Sequence, residues 1–129
     1  MSNTLPLQFN ESNIDTRIGS LSEAEIDQLD FGVIGFDEGT EVCVYNTFEA
    51  KSAGLSPERV LGQALFNTVA PCMNNFMVAQ RFEDAAAEAQ ALDVTLDYVL
   101  TLRMRPVKVR LRLVATPGQK LRYVLVERR

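Results

Sequence analysis

The 129-residue chain has no histidine, no tryptophan, only two cysteines, and no long apolar run. Without histidine there is no imidazole base, and two thiols alone cannot complete a Cys-type zinc site, so the sequence argues against both imidazole catalysis and metal binding. No stretch approaches the ~18 consecutive apolar residues needed to span a bilayer. The opening "MSNTLPLQFNESN" has neither the positive flank nor the apolar centre of a secretory signal, which predicts a cytoplasmic protein with no membrane partner. In that reducing setting Cys43 and Cys72 are not expected to pair. Basic runs are lacking too: 13 Lys and Arg against 17 Asp and Glu give a net charge of -4, which predicts no nucleic-acid partner.

What remains suits one domain. An apolar content of 47% over this length is enough for a single core and too little for two ordinary ones. Residues 1–20 are polar and weakly patterned, predicting a peripheral segment rather than core. We therefore divide the chain into an N-terminal arm or lid, 1–28, and a globular domain, 29–129. Within the arm, Ser22-Glu23-Ala24-Glu25 is a capping-box signature with Leu21 placed to staple onto Ile26, predicting a helix over 23–29.

"FGVIGF" (31–36), a Gly-containing turn and "EVCVY" (41–45) predict a hairpin. From 46 to 71 the pattern is helical but broken, with Ser56-Pro57 as cap and first-turn proline and Gly62 as terminator. "NNFMVAQRFEDAAAEAQAL" predicts the longest helix, capped by Asn74 or Asn75 and starting beside Cys72. Val94, Leu96, Tyr98, Leu100, Leu102 and Met104 alternate with polar residues, interrupted only by Val99, as in a half-buried strand. Val107, Val109, Leu111 and Leu113 repeat that period against Lys108, Arg110 and Arg112, which predicts a solvated basic face or, alternatively, a docking surface. "LRYVLVERR" supplies a third strand. The predicted class is α+β: a PAS-like five-stranded antiparallel sheet with helices on one face and an N-terminal helical arm.

"VYNTFEAKSAGLSPERVLGQALFNTVAPC", together with "FGVIGFDEGTEVCVYN" and "LRMRPVKVRLRL", resembles the photoactive yellow protein family, PAS-fold bacterial blue-light receptors. The resemblance covers nearly the whole chain. It implies that Cys72 carries p-coumaric acid (4-hydroxycinnamic acid) as a covalent thioester, with Tyr45 and Glu49 hydrogen-bonding its phenolic oxygen. It implies no enzymatic turnover, an unknown downstream signalling protein as partner, and a monomer or weak dimer. A phenolate removed from water needs donors, and a Tyr hydroxyl or a protonated carboxylic acid supplies one each.

The chain departs from the family pattern at several of these positions. Ala53 stands where a Thr usually supports the Tyr hydroxyl, and Leu55 where an Arg usually covers the chromophore. Ala50 and Lys51 follow Glu49, while Leu65, Leu100 and Leu102 replace pocket aromatics; Phe66 and Met104 complete the candidate pocket. Two other readings stay open: a chromophore-free PAS domain that binds a small ligand or a protein, and a thiol enzyme or redox sensor activated by a helix N-terminus beside Cys72. Cys43, among strand residues, is read as packing.

Overall fold

Period-two alternation of apolar residues builds the centre of the molecule. A computed structural model describes residues 7–101 and 106–128. Strands β1 (Gly32–Phe36), β2 (Val42–Tyr45), β3 (Leu92–Leu100), β4 (Val107–Ala115) and β5 (Arg122–Arg128) form one antiparallel sheet in the order β2-β1-β5-β4-β3. The last strand is therefore central, with Val124 opposite Ile34 on one side and Leu113 on the other. Val124, Leu125 and Val126 are all fully buried, as expected of a strand covered on both faces.

Each face has its own core. Ile34, Phe36, Leu111, Leu113, Val124 and Val126 pack with Phe66, Ala79 and Phe82 on one side. Around that core lie α3 (Thr47–Ala53), α4 (Pro57–Val60), a π-helical turn at Leu65–Val69, a 3-10 turn at Pro71–Met73, and α5 (Ala79–Ala87). On the other side Val33, Val114 and Leu125 meet Leu7, Phe9, Ile14, Ile18 and Ile26 of the N-terminal segment, which contains α1 (Ile14–Gly19) and α2 (Glu23–Asp27). The capping box is formed: Glu25 N donates to Ser22 Oγ at 3.2 Å and Ser22 N to Glu25 Oε1 at 2.8 Å.

Four expectations need correction. Residues before 20 do contribute to a core, since Ile14 and Ile18 are 0% and 1% exposed. A helix this short offers a single i, i+4 apolar pair, too little to register as a pattern. Arg112 does not lie on a wet face: the arm covers it, and it is 7% exposed. Its guanidinium forks onto Asp93, with two bonds of 2.8 Å, and donates to the carbonyls of Phe9 and Glu11 at 2.9 and 2.8 Å.

The longest predicted helix is also shorter than its pattern and does not begin beside Cys72. Asn75 Oδ1 accepts from the amides of Met77 and Val78, at 2.9 and 3.2 Å, so the chain turns before α5 starts at Ala79. Cys72 lies in the 3-10 turn instead, and the helix-dipole route to an activated thiol loses its basis. Cys43, finally, is exposed rather than packed. Val42 and Tyr45 take the inward positions of β2, across a register shift opposite Gly35 and Phe36. Leu102 and Met104 lie outside the described residues. No described helix is long and apolar enough to cross a membrane.

Candidate functional site

Asn46 organises the site. It caps α3, its Oδ1 accepting from Glu49 N at 3.2 Å and from Val33 N at 2.9 Å, while its Nδ2 donates to the carbonyls of Ile26 and Phe31 at 3.1 and 3.0 Å. One buried amide thus joins the first turn of α3 to β1 and to the arm. Thr47 N adds a second link, donating to Asp27 Oδ1 at 2.9 Å.

That first turn carries Glu49 inward, where it is 1% exposed. Its two oxygens accept from Arg128 of β5, Nη1 to Oε1 at 2.9 Å and Nη2 to Oε2 at 3.2 Å. Gly32 makes the arrangement possible, because a Cβ there would fall 2.1 Å from Glu49 Oε1. Burial pushes the Glu49 carboxyl up to about 7, with Arg128 pulling the other way. Tyr45, at the end of β2, is buried as well. Burial raises its phenol above the ordinary value, the Glu49 charge raises it further, and Arg128 opposes both. Tyr45, Glu49 and Arg128 therefore form one electrostatic cluster.

Cys72 is a half-buried free thiol. It lines a groove of ≈ 650 Å³ with Ala53, Leu55, Arg59, Val69 and Thr101, within the size range of small-molecule clefts, about 300–1,000 Å³. Its turn is braced from β3: the Tyr98 hydroxyl donates to the Cys72 carbonyl, and Asn75 Nδ2 donates to that carbonyl at 3.1 Å and to the Tyr98 oxygen at 2.6 Å. The Cys43 thiol is pushed up by partial burial and by Asp37 and Glu41, which disfavours its reactive thiolate.

The candidate residues fall into two adjoining groups. Tyr45, Phe66 and Leu100 belong to one buried cluster against which Leu55 and Cys72 pack, and Ala53 and Leu55 line the Cys72 groove. Tyr45 and Glu49 are not part of that groove's lining. Phe66 meets Phe36 edge-on, with centroids 5.4 Å apart, and lines a different cleft with Phe36 and Phe82. Met104 lies outside the described residues. Among the described residues no three His, Cys, Asp or Glu side chains gather as a metal site would require.

Sequence reasoning missed Arg128 and Gly32. A signal for Arg128 was present: it is in phase with Val124 and Val126, so strand alternation directs it to the core face. Gly32 carried no such signal, because its role depends on a carboxylate reaching it from α3.

No family model matches the chain. A photoactive yellow protein from Rhodothalassium salexigens is 32% identical over 104 residues, covering 81% of this chain and 82% of the relative. Among solved structures, the photoactive yellow protein domain from the sensor histidine kinase Ppr of Rhodospirillum centenum superposes with a TM-score of 0.80 at 32% identity, covering 88% of this chain and 98% of that domain. The PAS domain of nitrogen regulation protein NR(II) from Vibrio parahaemolyticus, at 17% identity and a TM-score of 0.56 over 85% of this chain and 97% of its own, shares the fold alone. With 32% identity over most of both chains and a closely matching solved domain, the chain belongs to the photoactive yellow protein family.

Proposed function

We propose that the protein is a blue-light receptor that carries a p-coumaroyl group as a thioester on Cys72, with Tyr45 and Glu49 holding its phenolic end. One observation carries this reading: a buried acid and a buried phenol in electrostatic contact, the phenol belonging to the apolar cluster against which Cys72 packs. These residues fit the group. An apolar cluster with two buried donors suits an aromatic ring with one polar end, and the half-buried thiol at the groove suits the attachment point.

When bound, such a group supplies light absorption and an isomerising double bond. The chain supplies the rest. Cys72 Sγ forms the thioester by displacing the leaving group of an activated donor, losing its own proton. Tyr45 stays protonated, because burial raises its phenol, and donates one hydrogen bond. Glu49, titrating near 7, donates the other as an acid and gives up its proton when that bond is disturbed. The charge that then appears on Glu49 changes the bonding at the first turn of α3. Asn46 and Thr47 connect that turn to the carbonyl of Ile26 and the carboxylate of Asp27, so the change passes to the arm.

Reconstitution with activated p-coumarate followed by peptide mass spectrometry tests the reading. The adduct is expected on Cys72, with Cys43 free. An adduct on Cys43 alone, or on neither thiol, would overturn it.

A second expectation concerns the two substitutions in the groove. With neither a hydroxyl at Ala53 nor a cation at Leu55, the loaded pocket holds phenolate weakly, so a shorter-wavelength phenol band should accompany the phenolate band near neutral pH. The double variant Ala53→Thr, Leu55→Arg should shrink the phenol band. A single band that stays put from acid to alkaline pH would show that Tyr45 and Glu49 suffice alone.

The Glu49–Arg128 pair favours a second reading, a chromophore-free PAS sensor, since it satisfies the buried acid from within the chain. The same mass spectrum decides between them.

A further inference from the structure

Arg128 takes no part in the receptor reading, yet two of its guanidinium nitrogens are committed to Glu49. Its side chain is 17% exposed and that of Glu49 1%. The same face of its strand carries Val124 and Val126 in the core and, at the far end, Arg122 beside Phe36 and Phe82, so Arg128 is the cation this face brings to Glu49. Drawing a guanidinium out of water is costly, and a bidentate carboxylate is the geometry that offsets the cost. Gly32, with no side chain to obstruct the carboxylate, leaves room for the pair. A buried cation placed by β5, a carboxylate placed by α3 and a cleared space in β1 converge on one point.

Building on the receptor reading, we propose that Arg128 is a positioning residue that receives the Glu49 carboxylate once its proton has passed to the phenolic oxygen, and thereby decides which of the two oxygens keeps that proton. The balance is simple. One O–H bond breaks at Glu49, one forms at the phenolic oxygen, and one negative charge moves the opposite way, with no other bond changed. Arg128, at 2.9 Å from Oε1, draws the charge toward Glu49. Tyr45 donates to the phenolic oxygen and draws it the other way. Among the described residues, the charged and titratable groups that interact with Glu49 are Tyr45 from β2 and Arg128 from β5, while β1 brings Gly32 against it. The last strand becomes part of the proton switch, so a displacement of β5 would be read at the chromophore.

The test begins without chromophore, so that it does not depend on the receptor reading. In protein labelled with carboxyl-13C glutamate, the Glu49 resonance is followed against pH in the parent, Arg128→Gln and Arg128→Lys, with circular dichroism to establish folding. Arg128→Gln should lower the ionised-to-protonated ratio of Glu49 at neutral pH by about tenfold or more, and Arg128→Lys should restore part of it. An unchanged Glu49 titration in Arg128→Gln overturns the pairing. Should Arg128→Gln not fold, Arg128→Lys decides: the proposal requires a downward shift smaller than tenfold, and an unchanged titration refutes it.

In the reconstituted proteins the ratio of phenol to phenolate absorbance should fall about tenfold in Arg128→Gln and less in Arg128→Lys. A shifted Glu49 without chromophore but an unchanged absorbance ratio with it would overturn the proton-placing role while leaving the receptor reading standing. If Cys72 takes no adduct, the receptor reading fails and the proton-placing role with it, whereas the chromophore-free titration still decides the pairing.

Discussion

Replacing Arg112 with alanine is expected to detach the N-terminal arm from the sheet and to lower the unfolding free energy by about 2–3 kcal/mol. Arg112 makes four hydrogen bonds, two to Asp93 and two to the arm carbonyls of Phe9 and Glu11. The Asp93 side chain is 49% exposed, so water takes over the orphaned carboxylate and discounts that half of the loss. The arm carbonyls are the larger concern. They sit beside the edge-to-face contact of Phe9 with Phe31, centroids 5.8 Å apart, and lose their shared donor under a covered surface. Limited proteolysis should cut the variant between residues 7 and 20 while the sheet stays intact, and urea unfolding should show the lower free energy. Arg112→Met, which keeps an apolar stem over the sheet, should recover part of the stability and little of the protection. Parent-like protection of the arm in Arg112→Ala would mean that Ile14, Ile18 and the bond from Thr116 to Asp15 hold it unaided.

This arm shows what the sequence could and could not disclose. Most strands reveal themselves through alternation, because each face repeats every second residue, and β1 to β5 lie on "FGVIGF", "EVCVY" and the three later runs, with β3 described to Leu100 and its expected continuation through Leu102 and Met104 outside the described residues. The capping box at Ser22 was readable for a similar reason: both its hydrogen bonds join residues three apart. Contacts between distant segments leave no such mark. Arg112 alternates correctly and was assigned to solvent, since nothing in its own strand announces that residues 9 and 11 will cover it.

The site divides in the same way. The family resemblance reads Tyr45, Glu49 and Cys72 as a set; the structure puts Tyr45 and Glu49 in electrostatic contact and packs Cys72 against the cluster that holds Tyr45. The placement of Glu49 depends on Asn46, whose four bonds reach α3, β1 and the arm at once. The partner of Glu49 comes from the other end of the chain, so only the folded sheet brings Arg128 to it. Asn75 shows a partial match: the sequence offers Asn74 or Asn75 as the helix cap, and Asn75 does take the amides two and three residues on, but these bonds close a local turn and α5 starts only at Ala79.

Stability should fall as pH rises from about 4.5 to about 7, by up to about 3 kcal/mol attributable to Glu49. The carboxyl titrates at about 7 in the folded protein, against an ordinary value of 4.5. Within that window the unfolded chain has lost the proton and the folded chain keeps it, so the folded state binds more protons and deprotonation works against folding. Below 4.5 the contribution is complete; above 7 it is gone and the curve levels. Asp15, lowered by its bond from Thr116, acts with the opposite sign but titrates below this window. Urea unfolding of the chromophore-free parent and of Glu49→Gln from pH 4.5 to 8 isolates the effect, because Gln cannot ionise and other groups cancel in the difference. Loss of the Arg128 pair shifts the Glu49→Gln curve as a whole without giving it this slope. The parent should lose ground relative to Glu49→Gln across the window. If it gains instead, the attraction of Arg128 outweighs desolvation, Glu49 is a carboxylate throughout the neutral range, and it has no proton to offer a phenolate.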